Sequence, residues 1–135
     1  MIEPIYAREE HLAVEEFRRL LAESGLGVRR PMDDADRLRR MLSHANLIVT
    51  ARIDGLLVGV SRALTDFAYC CYLADLAVAE QAKGRGIGQR LIAETRQHAG
   101  AEAMCLLLAA PDAESFYEHI GMPRSDRAFL YPRER

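Results

Sequence analysis

The segment from Leu73 to Ile92 constrains the fold more than any other part of the sequence. It reads LADLAVAEQAKGRGIGQRLI: an apolar run ends at Val78, three glycines follow at alternate positions, and an amphipathic helical pattern begins. A second apolar run follows that helix, so the stretch from Tyr69 to Ala110 predicts a strand, a crossover helix and a parallel strand. The chain is therefore expected to contain a layered sheet with at least one parallel pair of strands.

The glycine turn in this segment predicts a site for an anion. The first amides of a helix have no partner within the helix, and the helix dipole is positive there. Glycines let the backbone approach a ligand closely and adopt positive φ. Lys83, the only lysine of the chain, and Arg85 add positive charge.

Two common phosphate motifs match this turn poorly. A mononucleotide P-loop needs Gly-Lys followed by Ser or Thr, whereas Lys83 here precedes Gly84 and no hydroxyl residue follows. A dinucleotide fingerprint needs a third glycine at the position of Gln89. A nucleotide-binding protein is therefore a weak alternative.

Hydrophobic periodicity and turn residues divide the whole chain into elements in the order β-α-α-β-β-β-α-β-α-β. This order predicts an α+β fold in one domain over residues 1–135, a three-layer arrangement with a mixed, mostly antiparallel central sheet and helices on both faces. The expected strands cover residues 2–7, 46–53, 56–65, 69–78, 103–110 and 127–132, and the expected helices cover Glu9–Glu23, a stretch capped by Asp33 or Asp34, Ile87–Ala99 and Pro111–Ile120.

Composition narrows the function classes. The formal net charge is -2, which does not favour binding to nucleic acid. No apolar run approaches the ~20 residues of a membrane span, and acids occupy the N-terminus where a signal peptide would be basic, so we expect a cytoplasmic protein without a membrane partner. Cys70, Cys71 and Cys105 lack metal-ligand spacing, so we expect reduced core cysteines and no metal site.

The spacing Gln81-x-x-Gly84-x-Gly86 resembles the Gln/Arg-x-x-Gly-x-Gly/Ala signature of the GCN5-related N-acetyltransferases, the GNAT family. The flanking sequences, LAV before and GQRLI after, are similar too. The order of the predicted elements is also that of the family, so the resemblance extends over nearly the whole chain.

A second segment carries the same resemblance. The stretch AAPDAESFYEHIGM, residues 109–122, is similar to the family pattern Asn-x-x-Ala-x-x-x-Tyr-x-x-x-Gly-Phe, with Ala113, Tyr117 and Gly121 aligned. The family's asparagine is Ala110 here, so one contact to pantetheine is missing or made by backbone, and Asp112 is a candidate to compensate.

The resemblance implies that acetyl-CoA is the acyl donor. It implies that the amides of the glycine turn bind the pyrophosphate, and that the preceding strand pairs with the pantetheine arm in a V-shaped gap between Ala74–Val78 and Met104–Ala109. An amide at Leu76 or Ala77 would stabilise the oxyanion. The cofactor-binding residues carried over are Leu76, Ala77, Val78, Gln81, Lys83, Gly84, Arg85, Gly86, Ile87, Gly88, Gln89, Ala110, Ser115 and Phe116.

The resemblance also places Tyr117 as the acid that protonates the departing thiolate. A thiol pKa near ~8.5 and a phenol pKa near ~10 make that transfer roughly balanced. Asp75 is the candidate general base because it interrupts an apolar strand beside the oxyanion site, and a hydrogen-bonded structural carboxylate is the alternative. Tyr72, Tyr69 and Asp66 are candidates to line the acceptor pocket.

The predicted function is transfer of an acetyl group from acetyl-CoA, by direct attack, to a primary amine of a small molecule, a peptide or a protein. A non-catalytic acyl-CoA-binding or sensing module is the alternative. Seven arginines lie between Glu9 and Asn46, where the acceptor is bound in similar proteins, and they indicate either an acidic acceptor or solvated helix faces. The resemblance also allows a homodimer through the edge of the meander or the final strand.

Overall fold

Five strands lie side by side in chain order in the computed structural model, which describes residues 2–135. The strands are β1 (Ile5–Arg8), β2 (Leu47–Ile53), β3 (Leu56–Thr65), β4 (Cys70–Val78) and β5 (Met104–Leu106). The helices are α1 (Val14–Ser24), α2 (Ala35–His44), α3 (Ile87–Ala99) and α4 (Glu114–His119), and short 3₁₀ turns cover Leu26–Arg29, Glu80–Ala82 and Pro111–Ala113. Neighbours are antiparallel from β1 to β4, and β5 runs parallel to β4. The mixed, mostly antiparallel sheet predicted from the sequence is confirmed.

Two tight turns build the meander. Asp54 and Gly55 join β2 to β3 with φ values of +50° and +80°, as a two-residue hairpin of the primed type requires. At the next turn the Asp66 carboxylate accepts hydrogen bonds from three successive backbone amides. The two turns fix the pairing of β2 with β3 and of β3 with β4, and β4 thereby lies beside α3.

Helices cover both faces of the sheet. A Cβ built on Gly59 of β3 would meet Ile87 and Leu91 of α3 at 3.0 Å, so α3 packs directly on that face. The neighbouring Arg62 points to the other face, where it donates to the carbonyl of Met41 in α2. None of the helices within residues 2–135 has the length and apolar character needed to cross a bilayer.

Helix α1 begins at Val14, five residues later than the sequence pattern predicted. Glu9 instead lies directly after β1, where its amide donates to the carbonyl of Ile48 at 2.9 Å. Its carboxylate binds Arg52 at 2.8 Å and the hydroxyl of Thr50. These long-range contacts override the helical pattern of the segment.

The apolar run 103–110 does not form the fully buried strand that the sequence indicated. Only Met104–Leu106 pairs as a strand, and Met104 is 59% exposed. Residues 127–132, predicted as the last strand, have no strand partner, and the side chains of Phe129 and Tyr131 are each 98% exposed. Strand-forming residues are not sufficient where no neighbouring edge is placed beside them.

Candidate functional site

Strands β4 and β5 part after three residues. Cys70, Cys71 and Tyr72 pair with Met104, Cys105 and Leu106, and the rest of β4 has no strand on that side. The part of β4 from Leu73 to Val78 therefore presents an unpaired edge to a widening gap. The gap was expected between Ala74–Val78 and Met104–Ala109, but Met104–Leu106 pair with β4, so on this side the gap begins only after Leu106.

The hydrogen bonds of β4 show which amides face that gap. Ala79 donates to the carbonyl of Val58 in β3, and Ala77 lies opposite Val60 in the same ladder. Because backbone N–H groups alternate between the two edges of a strand, the amides of Leu76 and Val78 point away from β3. Of the two candidate oxyanion donors, the Leu76 amide faces the gap and the Ala77 amide faces β3.

The glycine turn leaves a helix N-terminus open. Gly84 and Gly86 have φ values of +81° and +78°, a conformation that side chains rarely adopt. Gly86 is the N-cap of α3, and no side chain caps the first amides of the helix. These amides are free to bind an anion.

The two cations of the turn are engaged elsewhere. The Lys83 ammonium binds the Glu80 carboxylate at 2.8 Å and the carbonyl of Ser24 at 3.1 Å, which ties the turn to the end of α1. The Arg85 guanidinium donates to the carbonyl of Ile2 at 2.5 Å. The groups of the turn that are left to attract an anion are therefore mainly its backbone amides.

A cleft of about 520 Å³ connects the turn, the free edge of β4, the helix α4 and the loop after α1. It brings together most of the residues that the sequence assigned to the cofactor: Leu76, Ala77, Val78, Lys83, Gly84, Gly86, Ile87, Gly88, Gln89, Ala110 and Phe116, and also Tyr117. Gln81, Arg85, Ser115 and Asp75 do not line it.

The sequence did not identify the wall formed by Ser24, Gly25, Leu26 and Arg29, which comes from the loop after α1. These residues form no local motif, and long-range contacts place them here, from Lys83 to Ser24 and from Arg30 to Ala74. Asp112 and His119 also border the cleft from the side of α4. His119 is an exposed residue at the end of that helix.

Helix α4 packs tightly against the start of α3. The ring of Phe116 lies 2.9 Å from the place that a Cβ on Gly88 would take. Phe116 and Tyr117 form an edge-to-face pair with centroids 5.1 Å apart. Burial raises the pKa of the Tyr117 phenol above its ordinary value of 10.0, and the positive charge of Arg30 partly opposes that increase. Tyr117 therefore carries its proton at neutral pH.

Asp75 is the centre of a buried ion cluster. Its side chain is fully buried, and Oδ1 accepts from Nε of Arg30 at 2.6 Å while Oδ2 accepts from Nε of Arg62. Arg30 also donates to the carbonyl of Ala74 at 3.0 Å, beside a β-bulge where the register of β3 and β4 shifts. Both carboxylate oxygens are occupied, so this geometry favours the structural alternative for Asp75.

The other residues considered for the acceptor pocket lie outside the cleft. Asp66 is engaged in the β3–β4 turn. Tyr69 is 78% exposed and Tyr72 is 40% exposed. Within residues 2–135 no three His, Cys, Asp or Glu side chains are grouped as metal ligands would be.

Solved structures share this architecture. A GNAT-family acetyltransferase, SP0256 from Streptococcus pneumoniae TIGR4, matches with a TM-score of 0.77 at 20% identity, over 98% of this chain and 99% of that chain. A ribosomal-protein-alanine N-acetyltransferase from Brucella melitensis biovar Abortus 2308 matches with a TM-score of 0.71 at 23% identity, over 96% and 98%. The aminoglycoside N-acetyltransferase AAC(6')-Iy, in complex with CoA, matches with a TM-score of 0.72 at 17% identity, over 100% and 97%.

Similarity at this level of identity establishes the fold. No curated protein matches the sequence. The family follows from the sequence itself: the model of the acetyltransferase (GNAT) domain matches residues 44–121, more than half of the chain, including the glycine turn and Tyr117. The chain therefore belongs to the GNAT acetyltransferase family.

Proposed function

We propose that the protein transfers the acetyl group of acetyl-CoA to a primary amine by direct attack. The observation that carries this proposal is a single cleft that joins an uncapped helix N-terminus, an unpaired strand edge and the half-buried Tyr117. A pyrophosphate, an amide-containing arm and a thioester need those three features in that order. The CoA complex of AAC(6')-Iy, which has the same fold, supports this assignment of the donor.

The amides of the turn, from Lys83 to Gln89, would bind the pyrophosphate. The main-chain groups of Leu76 and Val78 would pair with the pantetheine arm as an added strand does. Ala110 and Phe116 would contact the same arm from the opposite wall. Gln81, Arg85 and Ser115 would support the turn and α4 from outside the cleft.

The reaction needs one oxyanion donor and one acid. The amine nitrogen attacks the thioester carbonyl carbon, and the amide of Leu76 stabilises the oxygen that becomes negative. The C–S bond then breaks, and the thiolate takes the phenol proton of Tyr117, which solvent replaces. The amine loses its own proton to water.

We assign Asp75 a positioning role in place of the role of general base. Both of its carboxylate oxygens accept from guanidinium groups, and its fully buried side chain does not line the cleft, so it does not reach an amine bound there. It holds the bulge of β4 through Arg30 and thereby sets the direction of the Leu76 amide.

Binding and turnover are tested separately. Calorimetric titration with acetyl-CoA, ATP and NAD should show binding of acetyl-CoA alone, and release of free CoA thiol should then be screened across primary amines. Gly86→Ala should weaken acetyl-CoA binding. Gly55→Ala is the matched control. Gly55 has a φ of +80°, close to the +78° of Gly86, so alanine is strained at both positions, and Gly55 lies in the β2–β3 hairpin outside the cleft.

A wrong ligand for the cleft and an absence of catalysis give different results. Binding of ATP or NAD in place of acetyl-CoA would contradict the assignment of the cleft. Binding of acetyl-CoA without turnover on any amine would favour a non-catalytic acyl-CoA-binding module.

A further inference from the structure

We propose that the acceptor amine carries a carboxylate, and that Arg29 binds this group at the end of the cleft away from the glycine turn. This inference rests on the proposed function and names its class of acceptor. Seven arginines lie between Glu9 and Asn46, and the sequence alone does not show which of them face solvent and which could contact the acceptor.

Most of these arginines are used elsewhere. Arg19 binds Glu23 and the carbonyl of Leu57, and Arg40 binds Asp36 one turn earlier on α2. Arg37 donates to the backbone of Arg135. Arg18 and Arg39 do not line the cleft. Only Arg29 borders the cleft, and Arg30 lies behind it at the bulge of β4.

The loop that carries Arg29 runs along β4. Its start is tied to the glycine turn by the bond from Lys83 to Ser24, and its end is tied to Ala74 by Arg30. Ala74 precedes Val78 by four residues, which is about 13 Å along an extended strand. Arg29 is adjacent to Arg30 and therefore lies near the acceptor end, remote from the amides assigned to the pyrophosphate.

The charges at this end are unbalanced. Asp75 is shared by Arg30 and Arg62, so the cluster keeps one excess positive charge. Among residues 2–135, Arg29 forms no ion pair. Asp112 is the single carboxylate that lines the cleft in the described chain, and it comes from the opposite wall.

The excess positive charge at this end of the cleft favours some acceptor amines over others. Like charges repel, so a polycationic acceptor is disfavoured next to Arg29 and Arg30. A guanidinium with free donors matches the two oxygens of a carboxylate. The same positive charge favours the neutral form of the amine that attacks the thioester.

The test compares matched amines that differ in one charge. L-amino acids and their carboxamides are supplied with acetyl-CoA, kanamycin serves as a polycationic amine, and kcat/KM is measured by thiol release. The variants are Arg29→Gln and Arg29→Glu. Arg39→Gln is the control, since Arg39 is exposed on α2 and does not line the cleft.

We expect an amino acid to exceed its carboxamide by about tenfold or more, the effect of one charge-assisted hydrogen bond. Arg29→Gln should remove this preference and Arg29→Glu should reverse it, while the Kd of acetyl-CoA and the behaviour of Arg39→Gln stay as in the wild type.

Equal or better use of carboxamides or kanamycin by the wild type would overturn the inference and leave the proposed function standing. Binding of acetyl-CoA without acetylation of any amino acid would also overturn the inference. Loss of acetyl-CoA affinity in Arg29→Gln with the preference intact would assign Arg29 to the cofactor phosphates instead. Failure of the wild type to bind acetyl-CoA would overturn the proposed function itself.

Discussion

Gly88 and Phe116 occupy positions that leave no room for a single methyl group between them. A Cβ on Gly88 would lie 2.9 Å from Cζ of Phe116, closer than carbon atoms approach in folded proteins. Gly88 lies in the first turn of α3, and the Phe116 ring forms part of the cleft wall beside Tyr117. The contact therefore couples the glycine turn to the proposed acid.

We predict that Gly88→Ala weakens acetyl-CoA binding. The added methyl would push the Phe116 ring toward the cleft, and an overpacked contact costs about 1–3 kcal/mol. Calorimetry should show a raised Kd for acetyl-CoA. In the double variant with Phe116→Leu, which shortens the side chain, the two losses should be less than additive. Additive losses would show that the two residues do not act through this contact.

Tyr117→Phe should lower kcat by 10²–10⁴-fold, the usual contribution of a general acid, at an unchanged Kd for acetyl-CoA. Burial raises the pKa of Tyr117 above 10.0, so the wild-type kcat should stay constant through neutral pH and decline only as the phenol ionises on the alkaline side. The pH–rate profile of Tyr117→Phe should lack that decline. An unchanged kcat would remove the role of acid from Tyr117.

Asp75→Asn should destabilise the fold. The substitution leaves Arg30 and Arg62 without their shared carboxylate, and Arg62 has a side chain only 10% exposed. Loss of one partner of a buried ion pair costs about 3–5 kcal/mol, which urea unfolding would measure. Glu118→Gln, at the exposed pair with Arg124, is the control and should change the unfolding free energy by less than about 1 kcal/mol. Loss of turnover with unchanged stability would return Asp75 to the role of base.

The bounds of an element can be predicted from the sequence where local signals mark both of its ends. Helix α3 was predicted at its observed bounds, because glycines lie on both sides and the buried residues Ile87, Leu91, Ile92 and Thr95 recur with the helical period. Within the run 103–110, no local signal marks the residue at which pairing with β4 stops. The apolar residues predict a buried strand over the whole run, whereas β5 pairs with β4 only from Met104 to Leu106.

The chemistry of Asp75 shows a second limit. A carboxylate inside an apolar strand indicated that the residue matters, but its partners Arg30 and Arg62 are 45 and 13 residues away in the chain. No local pattern connects them, so base and structural anchor remained alternatives until the fold placed the three side chains together. The wall formed by the loop after α1 was missed for the same reason.

The turn at Asp66 gives a pH-dependent prediction. Oδ1 of Asp66 accepts from the amides of Cys70, Ala68 and Tyr69 at 3.0, 2.9 and 2.8 Å, and these bonds lower the carboxyl pKa from 3.8 to about 2. The folded value lies below the unfolded one, so the contribution of Asp66 to stability is complete above the unfolded pKa of 3.8 and decreases as pH falls toward 2.

A carboxyl titration by NMR should therefore give Asp66 a midpoint near 2. Asp66→Asn keeps an oxygen that accepts hydrogen bonds but carries no titrating charge. Its unfolding free energy should vary less between pH 4 and 2 than that of the wild type. A midpoint for Asp66 near its ordinary value of 3.8 would show that the three amides do not hold the carboxylate in solution, and β4 would then enter the cleft from a looser turn.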